Sequence, residues 1–266
     1  DKCYFFQGAD GRIIFAIPYE TDFTLIGTTD QEHKNPDVTP ECTVAEQQYL
    51  VDFANTYFKR DISLDDIVWT YSGMRPLYDD GASSATAATR DYTLKVDAAD
   101  GAPILNIFGG KITTYRKLAE DAMDKIIPFF PGTSGHWTAG VALPGGDFAV
   151  EGVDGLISRL MQDYPFLSPL WARRLVRAYG TLSWDVLGHA ESQADLGLEF
   201  GATLTEREVL WLVRREYART ADDVVWRRSK LGLRLTGDEI QGLESWMQTY
   251  HDPAKTLSSA MRGEQA

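Results

Sequence analysis

The sequence predicts an α+β chain: an antiparallel-sheet portion followed by an all-α helical domain. Three observations predict it. Residues 2–29 carry three apolar runs separated by turn signals, the pattern of a β-meander. Residues 128–150 gather Pro128, Pro131, Gly132, Gly135, Pro144, Gly145 and Gly146, a linker composition. Beyond them the apolar spacing is helical throughout. The domain division that follows is 1–127, a linker at 128–150, and a helical region at 151–266.

In order, the meander breaks at Gly8–Gly11, where Asp10-Gly11 is a turn signal, and again at Pro18–Asp22. Residues 43–58 read as a helix capped by Thr43 with Glu46 completing a capping box. Ala45, Tyr49, Leu50, Phe53 and Tyr57 fall on one of its faces. Residues 67–78 return to strand, and the small polar residues of 79–88 form a loop. Residues 90–97 and 103–108 are two further strands. A helix runs over 111–127, where Pro128 and Pro131 end it. Helices follow near 152–163, 168–180, 182–190, 205–218, 220–230 and 236–250. Thr205 with Glu208, and Thr236 with Glu239, are further capping boxes.

Composition narrows the function classes. The 266 residues carry a net charge of −13, with 44% hydrophobic and 24% charged residues. So acidic a chain lacks the basic face that phosphate neutralisation needs, so no nucleic-acid partner is expected. Most of the acid excess precedes residue 150. Cys3 and Cys42 make no disulfide framework, and a reduced cytoplasmic setting is expected. The four histidines lack ligand spacing, so no metal site is expected. No stretch has the apolar length of a membrane span. Neither a G-x-S-x-G nor a supported Cys/His pair offers a nucleophile. The chain opens on Asp1 and runs directly into strand-like sequence, which reads as a piece of something longer.

The chemistry concentrates in NIFGGKITTYRKLAE, residues 106–120. An apolar run stops at Gly109-Gly110, Lys111 follows, then Thr113 and Thr114 at a helix start. This is not a P-loop, because Leu105 and Ile112 stand where glycine and a hydroxyl residue are needed. Two glycines permit positive φ and close backbone approach, and a helix start offers free N–H groups to an anion or an electron-rich ring. An ordinary strand-to-helix turn with exposed Lys and Thr is the alternative. Arg75, in SGMRPLYDD, lies in an apolar stretch and must be paired or face a cavity. A guanidinium matches phosphate or carboxylate, but a salt bridge to Asp79, Asp80 or Asp30 is the commoner role. Arg90 closes over an anionic substrate or pairs with Asp91. Thr28, Thr29 and Asp30 line a pocket rim or merely end a strand. Arg227, Arg228 and Lys230 form a basic cluster beside Asp222 and Asp223. Bridging to those acids is favoured over a partner or lipid surface.

Five segments together resemble the aerobic, FAD-dependent glycerol-3-phosphate dehydrogenases of bacteria. They are GRIIFAIPYETDFTLIGTTD, DDIVWTYSGMRPLYDD, TRDYTL, IFGGKITTYRKLAE and DDVVWRRSKLGL. These enzymes belong to a flavoprotein group that includes D-amino-acid oxidase. The resemblance runs through nearly the whole chain but covers the later half of such an enzyme. No G-x-G-x-x-G dinucleotide fingerprint occurs here. The resemblance therefore implies a C-terminal fragment. It comprises part of the substrate domain, the segment that returns to the flavin, and the helical domain. It implies oxidation of glycerol 3-phosphate to dihydroxyacetone phosphate, with electrons passing through FAD to a membrane quinone. It also implies a cytoplasmic protein held peripherally at the inner membrane. Arg75 would bind the substrate phosphate and Arg90 would help order the substrate. Lys111 would stabilise developing negative charge, and Gly109, Gly110, Ile112 and Thr113 would offer backbone groups to the flavin. FAD would be held weakly or not at all by this portion alone, without turnover.

Two alternatives stand beside this. One is another flavin oxidase acting on an amine or amino acid, with an arginine holding a carboxylate. The other is a non-catalytic module whose helical region serves dimer or membrane contacts, with Arg75, Arg90 and Lys111 each satisfied by a local acid. An apolar patch is expected where a flavin domain would pack.

Overall fold

The computed structural model describes residues 2–8, 10–75, 78, 91–99, 101–130, 132 and 134–251. The meander is present as β1 (Tyr4–Gln7), β2 (Ile13–Tyr19) and β3 (Phe23–Gly27), paired antiparallel in that order. Pro18 lies within central β2, where the sequence suggested a break. It is tolerated because β1 pairs only as far as Ala16, so no neighbour on that side needs its missing N–H. Alternation along β2 buries Ile14 and Ala16 on one face and exposes Ile13 and Phe15 on the other, where Phe5 lies directly opposite Phe15.

The helix α1 (Val44–Asn55) starts at Thr43, whose hydroxyl accepts from the Glu46 N–H while Glu46 accepts from the Thr43 N–H. Its buried face differs from expectation: Val51 and Ala54 are buried, whereas Ala45 and Tyr57 are exposed. The aromatic residues instead make a seam with β1. Phe6 stacks on Tyr57 at 4.4 Å, and the Tyr57 hydroxyl donates to the Gln7 carbonyl.

Residues 67–75 are not a strand. Ile67 and Trp69 turn partly inward between exposed neighbours, the period of an extended chain, but no strand among the described residues supplies a ladder. The loop expected at 79–88 lies outside the described residues. β4 (Thr93–Asp97) and β5 (Ile104–Phe108) form a hairpin. A 3-10 turn at Ile112–Thr114 then leads into α2 (Tyr115–Ile126), which packs on both strands. Pro128 sits in a second 3-10 turn that closes the helix.

The chain divides into two units, Asp1–Ala139 and Gly140–Ala266. Among the described residues of the first, the buried apolar side chains are Ile14, Ala16, Val51, Ala54 and Ala122. The second is far better filled. Its α3 (Val153–Asp163), α4 (Pro169–Tyr179), α5 (Ser183–Leu187), α6 (Glu206–Glu216) and α7 (Gly237–His251) enclose a core including Leu160, Leu175, Leu212, Val224 and Leu243. α4 starts as its sequence dictates, with Ser168 capping and Pro169 in the first turn.

Three features of this unit depart from the pattern reading. A short ribbon, β6 (Glu199–Gly201) with β7 (Leu204–Thr205), interrupts the helices. Its turn places Ala202 and Thr203 at positive φ, so the usual Asn-Gly or Asp-Gly signature is missing. Thr205 does not close a capping box with Glu208. Glu208 is 2% exposed and is engaged in two 2.7 Å bonds from Arg174 and one of 2.8 Å from the Tyr179 hydroxyl. Burial, reinforced by the Glu208 charge, pushes the Tyr179 hydroxyl well above its ordinary pKa. Finally, residues 223–228 form a π-helix, in which the Ser229 N–H reaches back to the Val224 carbonyl. No described helix is long and apolar enough to cross a membrane.

Candidate functional site

The register of the β4–β5 hairpin builds the site. Thr93 is paired with Phe108, so Asp91 and Tyr92, which enter β4, lie beside Gly109 and Gly110, which leave β5. Gly109 has φ 69° and Gly110 φ 103°, a region that disfavours side chains. A Cβ on Gly109 would stand 2.9 Å from the Asp91 carbonyl oxygen, and one on Gly110 2.9 Å from Leu118 Cδ1. The two glycines thus let the chain turn against its own hairpin and enter a helix at once.

Lys111 is the extended residue before that helix, and no side chain caps either the 3-10 turn or α2. The positive end of the helix is therefore left without a side-chain acceptor. Around it lie exposed apolar groups: Phe108, Tyr115, and Ile112, which is 87% exposed.

Charges flank the turn. Lys111 Nζ lies 2.8 Å from Asp91 Oδ1, with both side chains substantially exposed. Arg75 Nη1 lies 2.8 Å from Asp30 Oδ2, just beyond β3. Arg75 is thus half-exposed and held by one of the three acids the sequence offered it. Arg75 and Lys111 are each held by a separate acid rather than converging on a common point, the arrangement expected of the non-catalytic module. A link between their segments does exist. The Tyr78 ring packs on Phe108 at 5.5 Å, next to the glycine turn. Arg75 is three residues earlier, so its Cα lies within about 11 Å of that of Tyr78. Arg90 lies outside the described residues.

Sequence reasoning missed a group behind the turn. The Tyr92 hydroxyl donates to Asp121 Oδ2 at 2.5 Å, and Lys117 lies 2.8 Å from Asp121 Oδ1. Hydrogen bonds from Lys117 and Tyr92 hold the Asp121 carboxyl below its usual range, and the bond to Asp121 raises the Tyr92 phenol. The readable signal was Lys117 and Asp121 at i,i+4 on the helix that follows the turn. Further along, α2 carries buried Glu120, which accepts from Arg116 and from Thr138.

The basic cluster of the helical unit is internally satisfied. Arg227 and Arg228 both reach Asp223, Arg228 also donates to the Glu216 carbonyl, and Lys230 bonds to the Trp226 carbonyl. Gly232 packs under Trp226 so closely that a Cβ would stand 2.4 Å from the ring. A cleft of about 700 Å³ opens there between Thr220, Asp223, Arg227, Ile240 and Glu244. Its arginine and Asp223 are paired with each other, as Lys111 is with Asp91; the glycine turn differs in its uncapped helix start. No cluster of metal-ligating residues occurs among the described residues.

The donor set of the turn fits the electron-rich edge of a flavin. It combines an uncapped helix start, a lysine and exposed apolar side chains at Phe108, Ile112 and Tyr115. The chain is similar to known proteins over most of its length. Residues 2–116 match the family model "FAD dependent oxidoreductase", and residues 136–248 match "C-terminal domain of alpha-glycerophosphate oxidase". The chain is 45% identical to the aerobic glycerol-3-phosphate dehydrogenase of Escherichia coli (strain K12) over 260 residues, 97% of this chain and 52% of the relative. It is 42% identical to a glycerol-3-phosphate dehydrogenase of Pseudomonas aeruginosa, over 94% of this chain and 49% of the relative. It is also 40% identical to the D-erythritol 1-phosphate dehydrogenase of Brucella abortus, over 92% and 49%. The chain spans about half the length of these relatives. With the two models together spanning most of its residues, the chain is similar over nearly its whole length to FAD-dependent oxidoreductases that include the aerobic glycerol-3-phosphate dehydrogenases.

Proposed function

We propose that this chain is the later part of a flavin-dependent glycerol-3-phosphate dehydrogenase, which oxidises C2 of sn-glycerol 3-phosphate to the ketone of dihydroxyacetone phosphate. C2 gives up a hydride and its hydroxyl a proton. FAD, when bound, supplies the hydride acceptor. The observation that carries this is the uncapped helix start behind two left-handed glycines, with Lys111 at its entrance.

Each residue has a task in this scheme. Gly109, Gly110, Ile112 and Thr113 present backbone groups to the flavin, which no bulkier turn would let approach. Lys111 stabilises the negative charge that builds as the hydride leaves and the hydroxyl is deprotonated. Arg75 exchanges Asp30 for the substrate phosphate, a bidentate match that its half-exposed side chain can make without breaking a buried pair. Arg90 orders the substrate beside it. Electrons then leave to a membrane quinone, and the protein works from the cytoplasmic face as a peripheral enzyme. The outward face carrying Phe5, Ile13 and Phe15, and the extended stretch 67–75, which joins no strand ladder among the described residues, suit a chain completed by a further domain. The isolated 266 residues should therefore bind FAD weakly and show no turnover. A purified chain that is yellow and reduces a dye with glycerol 3-phosphate would overturn that.

The test is anaerobic addition of glycerol 3-phosphate to the full-length protein while flavin absorbance is followed. Bleaching by this compound, and not by amino acids or unphosphorylated glycerol, supports the assignment. Bleaching by an amino acid instead would make Arg75 a carboxylate holder. The Brucella relative makes a longer polyol phosphate the second reading, so erythritol phosphate belongs in the same series. Oxygen and a quinone should then be compared as acceptors, since the second family model is named for an oxidase.

A further inference from the structure

The dipeptide Asp91-Tyr92 touches the glycine turn in three ways. The Asp91 carbonyl oxygen lies 2.9 Å from where a Cβ of Gly109 would stand, and the Asp91 carboxylate holds Lys111. Tyr92 Cβ lies 3.8 Å from the place of a Gly110 Cβ. From the same dipeptide the Tyr92 phenol crosses to Asp121, in the second turn of α2. The turn is thus bridged: its floor is bolted to the helix that it starts. A phenol bonded to an ionised carboxylate is charge-assisted and short, hence directional. Lys117, on the other oxygen of Asp121, keeps that carboxylate ionised and fixes its rotamer.

We infer that Tyr92 and Asp121 are positioning residues, which set where the Lys111 ammonium stands relative to the bound ligand. This rests on the function proposed above. Neither side chain needs to touch substrate or flavin. Their bond fixes the distance between the hairpin end, which carries the lysine's acid partner, and the helix that the lysine precedes. Displacements well below 1 Å at such a group are enough to slow a reaction, since a full 1 Å costs about 100-fold.

The experiment uses the full-length flavoenzyme with Tyr92→Phe, Asp121→Asn, Lys111→Met and the double variant Tyr92→Phe/Lys111→Met. Flavin reduction is timed under saturating glycerol 3-phosphate, alongside KM and thermal stability. Tyr92→Phe should slow reduction about tenfold with KM little changed, and should have no further effect once Lys111 is methionine. Asp121→Asn should behave likewise, and it serves alone if Tyr92→Phe does not fold. A wild-type reduction rate in both single variants would overturn the inference. So would an equal loss from Tyr92→Phe with and without Lys111, which marks a general fold defect. If the wild type does not bleach, or Lys111→Met reduces flavin at the wild-type rate, the proposed function itself falls, and that outcome is visible without the Tyr92 variant.

Discussion

Lys111 and Asp91 face each other at 2.8 Å across the open end of the β4–β5 hairpin, and both are in reach of solvent. Such a pair contributes little to stability and is readily exchanged. Asp91→Asn should change the unfolding free energy by less than about 1 kcal/mol, checked by urea denaturation. Lys111→Met should lower the rate of flavin reduction in the full-length enzyme by roughly 100- to 1,000-fold, the scale of one lost charge-stabilising donor. Rapid-mixing absorbance gives that rate directly.

Gly109→Ala places a Cβ 2.9 Å from the Asp91 carbonyl oxygen at φ 69°. The expected cost exceeds about 1 kcal/mol, because both the backbone basin and the hairpin contact are lost. Denaturant unfolding checks the stability, and an FAD titration of the full-length protein should show weaker binding. Unchanged FAD affinity would remove the glycine turn from the flavin site.

Arg75→Ala should raise KM for glycerol 3-phosphate and lower kcat/KM by about 10- to 100-fold, the range of one lost charge-assisted contact. Asp30→Asn, which removes the resting partner, should leave KM equal or lower. Steady-state kinetics with an artificial dye reads both. An unchanged KM in Arg75→Ala would dismiss the phosphate role.

Glu208→Ala strands the Arg174 guanidinium, which is largely buried, and leaves the Tyr179 hydroxyl without its acceptor. The helical unit should lose about 3–5 kcal/mol. Replacing both charges, as Arg174→Met with Glu208→Leu, should cost much less, because no lone charge remains. Chemical denaturation of the three proteins makes the comparison.

Acid should loosen the helical unit through Asp223. Burial pushes its carboxyl up, but N–H donors from Arg219 and Thr220, the Thr220 hydroxyl and Arg227 overcome this and hold it below its ordinary 3.8. The folded pKa is thus below the unfolded one. Its stabilisation is complete above about pH 4 and is lost as pH falls through the folded value. Asp223→Asn should be less stable near neutrality, with a shallower decline towards about pH 2. Urea midpoints across that range test the slope.

How much of this was legible follows from what each element depends on. The meander, α1 and the β4–β5 hairpin were legible because their signals are local: alternation, Thr43 with Glu46, and the glycine punctuation. The extended stretch 67–75 was not, because alternation fixes which way side chains point but not whether a partner strand exists. Glu208 had the spacing of a cap, yet the Arg174 guanidinium and the Tyr179 hydroxyl take its carboxylate, and that competition is tertiary. The β6–β7 ribbon turns on Ala202 and Thr203, residues that announce no turn. At the site, the glycine turn and Lys111 were readable. Tyr92 was not, because its partner is 29 residues away on the following helix.

The contrast between the two cores has a genetic consequence. The helical unit closes its own interior, with Leu160, Val209, Val224 and Leu243 fully buried by neighbours within it. A recombination breakpoint at the division between residues 139 and 140 would leave that buried interior whole in the downstream product. The upstream product, with its few buried side chains and uncovered aromatic face, would be left to chaperones and proteases. Selection can therefore exchange the helical half among related enzymes as a cassette, whereas the sheet half must travel with whatever covers it.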